Sequence, residues 1–204
     1  ATLNPRAIVK EELTMEKYLS ARMISSPFGL FDCDRFTDCS TVVIVSAGDA
    51  LDEIKATPIR IAAAAGSCER YSWDQAEFAS AYPTGRDLWK NTDYTVKDVD
   101  MVQLYDGFSF QPITWLEGLG FCGIGEGGQF IDGGHRIALD GELPMNTGGG
   151  QLGWGRLHGF GYAYESVVQL RGDGGARQVK GDPKVSVATS GGGPMAAALL
   201  LARD

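Results

Sequence analysis

The sequence predicts an α/β protein, and three observations carry that expectation. Short β-branched runs, of which Thr41-Val42-Val43-Ile44-Val45 is the purest, alternate along the chain with segments of helical character. Within residues 109–119, the apolar Phe110, Ile113, Leu116 and Leu119 recur at the spacing of one helix face. Glycine-rich turns separate many of these segments, most densely in the second half.

Each element follows from local chemistry. Thr14 is placed as the N-cap of a short helix over 15–22, which Ser25-Ser26-Pro27 breaks. Residues 41–45 are almost unbroken in hydrophobicity, which predicts a strand buried on both faces. A short helix is expected over 49–55. Ile59-Arg60-Ile61-Ala62-Ala63 predicts a second strand that ends at Gly66. Helical segments over 74–81 and 87–92 are expected to flank a turn at Pro83-Thr84-Gly85. A strand over 101–104 runs into the corner Tyr105-Asp106-Gly107-Phe108, and the helix over 109–119 is closed by Gly120. After a glycine-rich excursion over 120–141, residues 156–171 predict a helix. Residues 185–188 and 195–201 predict two strands joined by Ser190-Gly191-Gly192-Gly193-Pro194. No linker divides the chain, so 1–30 reads as a lead-in extension and 31–204 as the main domain.

Composition narrows the function classes. A net charge of -8 with scattered basic residues argues against a nucleic-acid groove. The longest apolar runs, near 61–65 and 196–202, fall far short of the ~20 residues that span a bilayer. No basic-then-apolar signal stands at the N-terminus, so a cytoplasmic location is expected. Cys33, Cys39, Cys68 and Cys122 form no CxxC pair and only two histidines accompany them. No metal site is expected, and the cysteines read as buried free thiols.

Three constellations can carry chemistry. The first is Asn146-Thr147-Gly148-Gly149-Gly150-Gln151-Leu152-Gly153-Trp154-Gly155-Arg156-Leu157-His158, where glycines bring backbone close to a ligand or to another segment. Arg156 and His158 then open a helix, where outward N–H groups suit a carbonyl or anionic oxygen. Glycine turns of this kind also serve structure alone. The second is the strand-to-helix corner at Tyr105-Asp106, at the carboxyl end of a strand, where α/β sheets bind ligands. A Tyr105 hydroxyl there can donate a hydrogen bond or move a proton, or the ring can simply pack. Asp106 fits a helix N-cap better than a catalytic acid. The third is Thr189-Ser190-Gly191-Gly192-Gly193, whose N–H groups either hold a carbonyl oxygen or form a flexible loop.

In order and spacing these segments resemble the C-terminal half of the thiolase superfamily, in its sterol-carrier and lipid-transfer branch. The resemblance spans nearly the whole chain. It rests also on Asn4-Pro5 with Leu13-Thr14, on Pro27 with Leu30-Phe31-Asp32-Cys33, on Val42-Val43-Ile44-Val45-Ser46, on Gly125-Glu126-Gly127-Gly128 and on Leu143-Pro144-Met145-Asn146. It implies a mixed β-sheet flanked by helices, an N-terminal thiolase half as partner and a homodimer. A fragment, a split subunit or a processed piece would each fit a half of this kind.

The departures from the family pattern redirect the chemistry. Where thiolases carry Gly-His-Pro, with a histidine that activates the nucleophile, this chain has Gly155-Arg156-Leu157. Arginine is permanently charged and cannot be that base. Thr189 stands where the family has a second cysteine, and Tyr105 where it has an oxyanion-hole asparagine. The nucleophilic cysteine belongs to the other half. The altered loop is similar to that of lipid-transfer-type aldolases of steroid side-chain breakdown. That similarity implies retro-aldol cleavage of a β-hydroxyacyl-CoA, with the CoA thioester as substrate and no cofactor bound by this chain. It also implies a small partner with an OB-fold and a zinc ribbon. Tyr105 is then the first catalytic candidate, followed by His158, Tyr162 and Tyr164. Asn146, Gly149, Gly150, Arg156, Thr189, Gly191 and Gly192 form the expected substrate and oxyanion loops. An acyl-CoA thiolase half and a non-catalytic acyl-CoA-binding subunit remain the competing readings.

Overall fold

The structure is a computed structural model that describes residues 1–53, 55–69 and 79–204. In chain order its first elements are α1 (Met15–Leu19), β1 (Met23–Ser25), β2 (Phe28–Gly29), β3 (Arg60–Cys68), α2 (Ala81–Lys90) and β4 (Met101–Gln103). There follow α3 (Gln111–Leu119), α4 (Gly127–Ile131), α5 (Gly150–Gly153), α6 (Gly159–Leu170), β5 (Val185–Gly191) and β6 (Met195–Ala202). Thr14 caps α1 as its sequence position suggests, accepting the Lys17 N–H at 3.2 Å.

The central sheet runs β3-β6-β5-β4. β5 and β6 form an antiparallel hairpin, β3 adds antiparallel to β6, and β4 joins β5 in parallel. The sheet is therefore mixed, as expected. Its two faces follow from the two-residue period of a strand. Ala196, Ala198 and Leu200 of β6 pack with Ala81, Leu88, Trp115 and Leu116 of α2 and α3. Leu199 and Leu201 point the other way, to Val167 and Leu170 of α6. Helices thus flank both faces.

Four expectations are corrected. Residues 41–45 form no strand, and Val42 and Ile44 are 81% and 90% exposed. Among the described residues no neighbouring strand takes up their backbone groups or covers their side chains. The 49–55 helix is a 3-10 turn, Gly48–Glu53. The Pro83-Thr84-Gly85 turn is the interior of α2. Gly85 serves packing there: a Cβ on it would lie 2.1 Å from the Gly118 carbonyl oxygen of α3. The expected helix over 74–81 lies outside the described residues up to 78. Finally, Cys39 and Cys68 are exposed rather than buried, and Cys33 and Cys122 are half-buried.

The lead-in is clamped to the main domain beside the Tyr105 corner. Buried Asp32 accepts hydrogen bonds from Tyr18 (2.7 Å), Ser109 (2.6 Å) and the Gly29 N–H (2.7 Å). Burial pushes this carboxyl up, but the three donors outweigh it and hold the pKa below the usual value.

Candidate active site

Short β4 ends at Gln103, and the next three residues carry the corner. Asn146 fixes it: its Oδ1 accepts the Leu104 N–H at 2.7 Å and its Nδ2 donates to the Leu104 carbonyl at 2.9 Å. Thr189, at the end of the neighbouring strand β5, accepts the Tyr105 N–H at 2.8 Å. These contacts leave the half-buried Tyr105 ring with its hydroxyl 3.3 Å from His158 Nδ1. The two rings lie near-parallel with centroids 6.3 Å apart. Tyr105 donates to Nδ1 when the imidazole carries its proton on Nε2.

His158 reaches that position from an unusual backbone. It is the N-cap of α6 at φ 49°, ψ -140°, and its N–H donates to Gln151 Oε1 at 2.8 Å. Gly159, the first residue of α6, packs so closely on Ser190 that a Cβ would lie 2.6 Å from the serine Cβ. The third glycine-rich segment is thereby held against the helix that carries His158.

Beneath Tyr105 lies a buried carboxylate. Asp106 does not cap α3. It accepts the Gln151 N–H at 2.6 Å and the Leu152 N–H at 3.5 Å, so it caps the four-residue helix α5. Tyr162 donates its hydroxyl to Asp106 Oδ1 and accepts the Asp106 N–H at 3.0 Å. Gly150 makes room for this carboxylate, since a Cβ there would lie 2.0 Å from Oδ2. Burial raises the Asp106 pKa to about 6 against the pull of its hydrogen bonds. Burial and the neighbouring carboxylate push the Tyr162 phenol well above its ordinary value.

Of the expected catalytic residues, the structure brings Tyr105, His158 and Tyr162 together, the Tyr105 and Tyr162 ring centroids lying 6.1 Å apart. Tyr162 spends its hydroxyl on Asp106. Tyr164 lies apart from this cluster, in an open cleft of about 520 Å³ bordered by Arg6 and Trp154. Its hydroxyl accepts from Arg6 at 2.9 Å, so it does not face Tyr105's partners.

Several polar groups of the expected oxyanion loops are engaged within the chain. Asn146 and Thr189 hold the corner, as above. The Gly149 N–H donates to the Asn146 carbonyl at 2.8 Å, and the Gly192 N–H closes the β5–β6 hairpin on Met195 at 2.9 Å. The Gly191 carbonyl takes the Trp115 indole N–H at 2.8 Å. Arg156 grips the buried Asp34 carboxylate with two nitrogens, Nε at 2.6 Å, while Phe36 lies under its guanidinium. The ion pair raises the guanidinium pKa further. Arg156 is a clamp on the segment around Asp34, just after the lead-in, rather than a free cation.

Sequence reasoning missed Asp106 as a buried hub and did not single out Gln151. The partners of Asp106 lie 45 and 56 residues away, so no local pattern announces them. The buried Gln103-Thr147-Glu165 chain behind the corner was missed for the same reason. Thr147 accepts from Gln103 at 2.9 Å and donates to Glu165 at 2.8 Å, and Arg177 neutralises Glu165 at 2.9 Å.

The mixed, doubly covered sheet with glycine loops converging on the end of its parallel strand pair defines a thiolase-type domain. The comparisons agree with that class. Residues 68–202 match the thiolase C-terminal domain-like family, and the chain belongs to it. A 17-hydroxy-3-oxo-4-pregnene-20-carboxyl-CoA lyase from Mycobacterium tuberculosis is 38% identical over 84% of this chain and 47% of its own length. An acetyl-CoA acetyltransferase from Methanothermobacter thermautotrophicus is 34% identical over 89% of this chain and 49% of its own. A steroid side-chain-cleaving aldolase from Thermomonospora curvata is 30% identical over the whole chain and 54% of its own. The solved structure of an Ltp2-ChsH2(DUF35) aldolase superposes with a TM-score of 0.87 at 29% identity, over all of this chain and 55% of that one. The chain therefore spans about half the length of the curated relatives it matches.

Proposed function

We propose that this chain is the C-terminal half of a thiolase-fold aldolase that cleaves a β-hydroxyacyl-CoA by a retro-aldol reaction. The observation that carries the reading is the Tyr105 hydroxyl set 3.3 Å from His158 Nδ1 at the carboxyl end of a central strand. The position where a thiolase base would stand holds Arg156, locked to Asp34. In the proposed step the substrate β-hydroxyl gives its proton to the Tyr105 oxygen as the Tyr105 proton passes to His158 Nδ1. The O–H electron pair forms the new carbonyl, the Cα–Cβ bond breaks, and its pair moves onto the thioester as an enolate. Protonation at Cα completes the cleavage. We place the enolate's donor in the N-terminal half, because Asn146, Thr189 and Gly192 spend their groups within this chain.

A steroid or similarly bulky alicyclic acyl group is proposed as the substrate. The names of two relatives support it, and so does an aldolase neighbour that carries a DUF35 partner. A homodimer and a small OB-fold, zinc-ribbon partner belong to the same proposal. The acyltransferase reading is supported by the acetyl-CoA acetyltransferase relative. The test is to assay the complete enzyme for aldol cleavage of a β-hydroxyacyl-CoA and for CoA-dependent thiolysis of a β-ketoacyl-CoA. Cleavage is expected, and Tyr105→Phe should lower it by roughly 100-fold or more. Robust thiolysis without cleavage would overturn the proposal, and an unchanged Tyr105→Phe rate would remove Tyr105 from it.

A further inference from the structure

Two departures from ordinary packing meet at a single hydrogen bond. His158 is a β-substituted residue at φ 49°, ψ -140°, outside the left-handed helical basin that non-glycine residues visit. Gln151, 2% exposed, accepts the His158 N–H on Oε1 at 2.8 Å, while its Nε2 has no partner among the described residues. A position kept only for packing is apolar or fully satisfied. Here a buried amide is retained with one end unpaired, and its other end holds the residue whose backbone is strained. The same Gln151 donates its own N–H to Asp106 at 2.6 Å, and Asp106 is bonded covalently to Tyr105. One buried residue therefore ties down both ends of the Tyr105–His158 pair.

We infer that Gln151 is the positioning residue of the proposed dyad: its side-chain oxygen holds His158 in the conformation that brings the ring to the Tyr105 hydroxyl. The inference rests on the aldolase reading and deepens it. Gln151 touches no reacting atom. Its effect is on the Tyr105–His158 distance, and small misplacements at a reacting centre are costly in rate. Among the described residues, no side-chain cap supports His158 locally. Its neighbour Leu157 and the helix start at Gly159 provide no side-chain cap, and α6 has no side-chain hydrogen bond at its N-cap.

The experiment measures kcat and KM for β-hydroxyacyl-CoA cleavage by the complete enzyme, with Gln151→Met and Gln151→Glu made in the wild-type and Tyr105→Phe backgrounds. Gln151→Met keeps shape and loses the acceptor. It is expected to lower kcat by roughly 10-fold or more with KM within about twofold. Gln151→Glu keeps an acceptor and is expected to recover most of that loss. In the Tyr105→Phe background, Gln151→Met should cost less than about twofold, because the pair it aligns is already broken. Equal losses in both backgrounds, an unchanged kcat, or a Gln151→Glu variant no better than Gln151→Met would each overturn the positioning role. Should Gln151→Met not fold, Gln151→Asn, which retracts the acceptor, carries the same expectation, and full kcat in it is equally decisive. A wild-type enzyme without aldol cleavage sinks both proposals. A cleaving wild type with indifferent Gln151 variants sinks only this one.

Discussion

Asp106 shows how much a single residue can organise when its partners come from distant segments. Its carboxylate caps α5, takes the Tyr162 hydroxyl and lies directly behind Tyr105. Burial raises its pKa from 3.8 to about 6. The sign of the stability effect follows from linkage. A carboxyl with a raised folded-state pKa favours folding fully below the unfolded value, and that contribution is lost as pH rises through the folded value. Asp106→Asn keeps an acceptor for Tyr162 and Gln151 and cannot ionise. Its stability relative to wild type should therefore improve between pH 4 and pH 7, by about 2 kcal/mol. Unfolding curves of both proteins at the two pH values check this, and a constant difference would contradict it. The sequence named Tyr105 and His158 because each stands at a recognisable corner or helix start. It assigned Asp106 to the nearest helix, since a strand-to-helix corner favours the local cap. The true cap is formed across the fold, where only tertiary contacts decide.

At the scale of elements, the pattern of apolar residues predicted β3, β4, α3, β5 and β6 close to their observed ranges. It failed where glycine and proline were taken as punctuation. Pro83 sits in the first turn of α2, where a missing N–H costs nothing. Gly85 is there because α2 crosses α3 at Gly118 with backbone against backbone: a Cβ on Gly85 would lie 2.7 Å from the Gly118 carbonyl carbon. The glycine that suggests a break in one dimension allows close contact in three. Gly85→Ala raises helix propensity, yet it must push α2 off α3. The close approach decides, and the substitution is expected to destabilise by about 1–3 kcal/mol. Urea denaturation of the variant measures it, and a variant as stable as wild type would mean that the crossing is looser than described. The fully buried Trp115 and Leu116 beside the crossing would feel the shift first, and Trp115 fluorescence offers a second readout.

Across the whole molecule, the misread segment at 41–45 and the share of the relatives that the chain spans belong to one argument. The hydrophobic run was legible as a strand, and nothing in the sequence could say which sheet it joins. In the structure Val42, Ile44 and Val45 are 81%, 90% and 71% exposed, and Phe36, upstream of them, is 88% exposed. Large apolar side chains left exposed in succession are unusual on a surface that no other chain covers. Arg156 anchors the start of this stretch through Asp34 and the Arg35 carbonyl, which it meets with its own N–H at 3.0 Å. The segment is thus held at one end close to the residues of the candidate site. If the proposed N-terminal half lies against it, residues 41–45 gain backbone partners and lose solvent. Hydrogen exchange then distinguishes the two situations. The amides of residues 41–45 are expected to exchange quickly in this chain alone and at least about tenfold more slowly in the complete enzyme. Those of the central strand β5 should already be protected in this chain. Fast exchange at 41–45 in the complete enzyme would mean that the other half leaves this segment open, and that its apolar face serves a different partner.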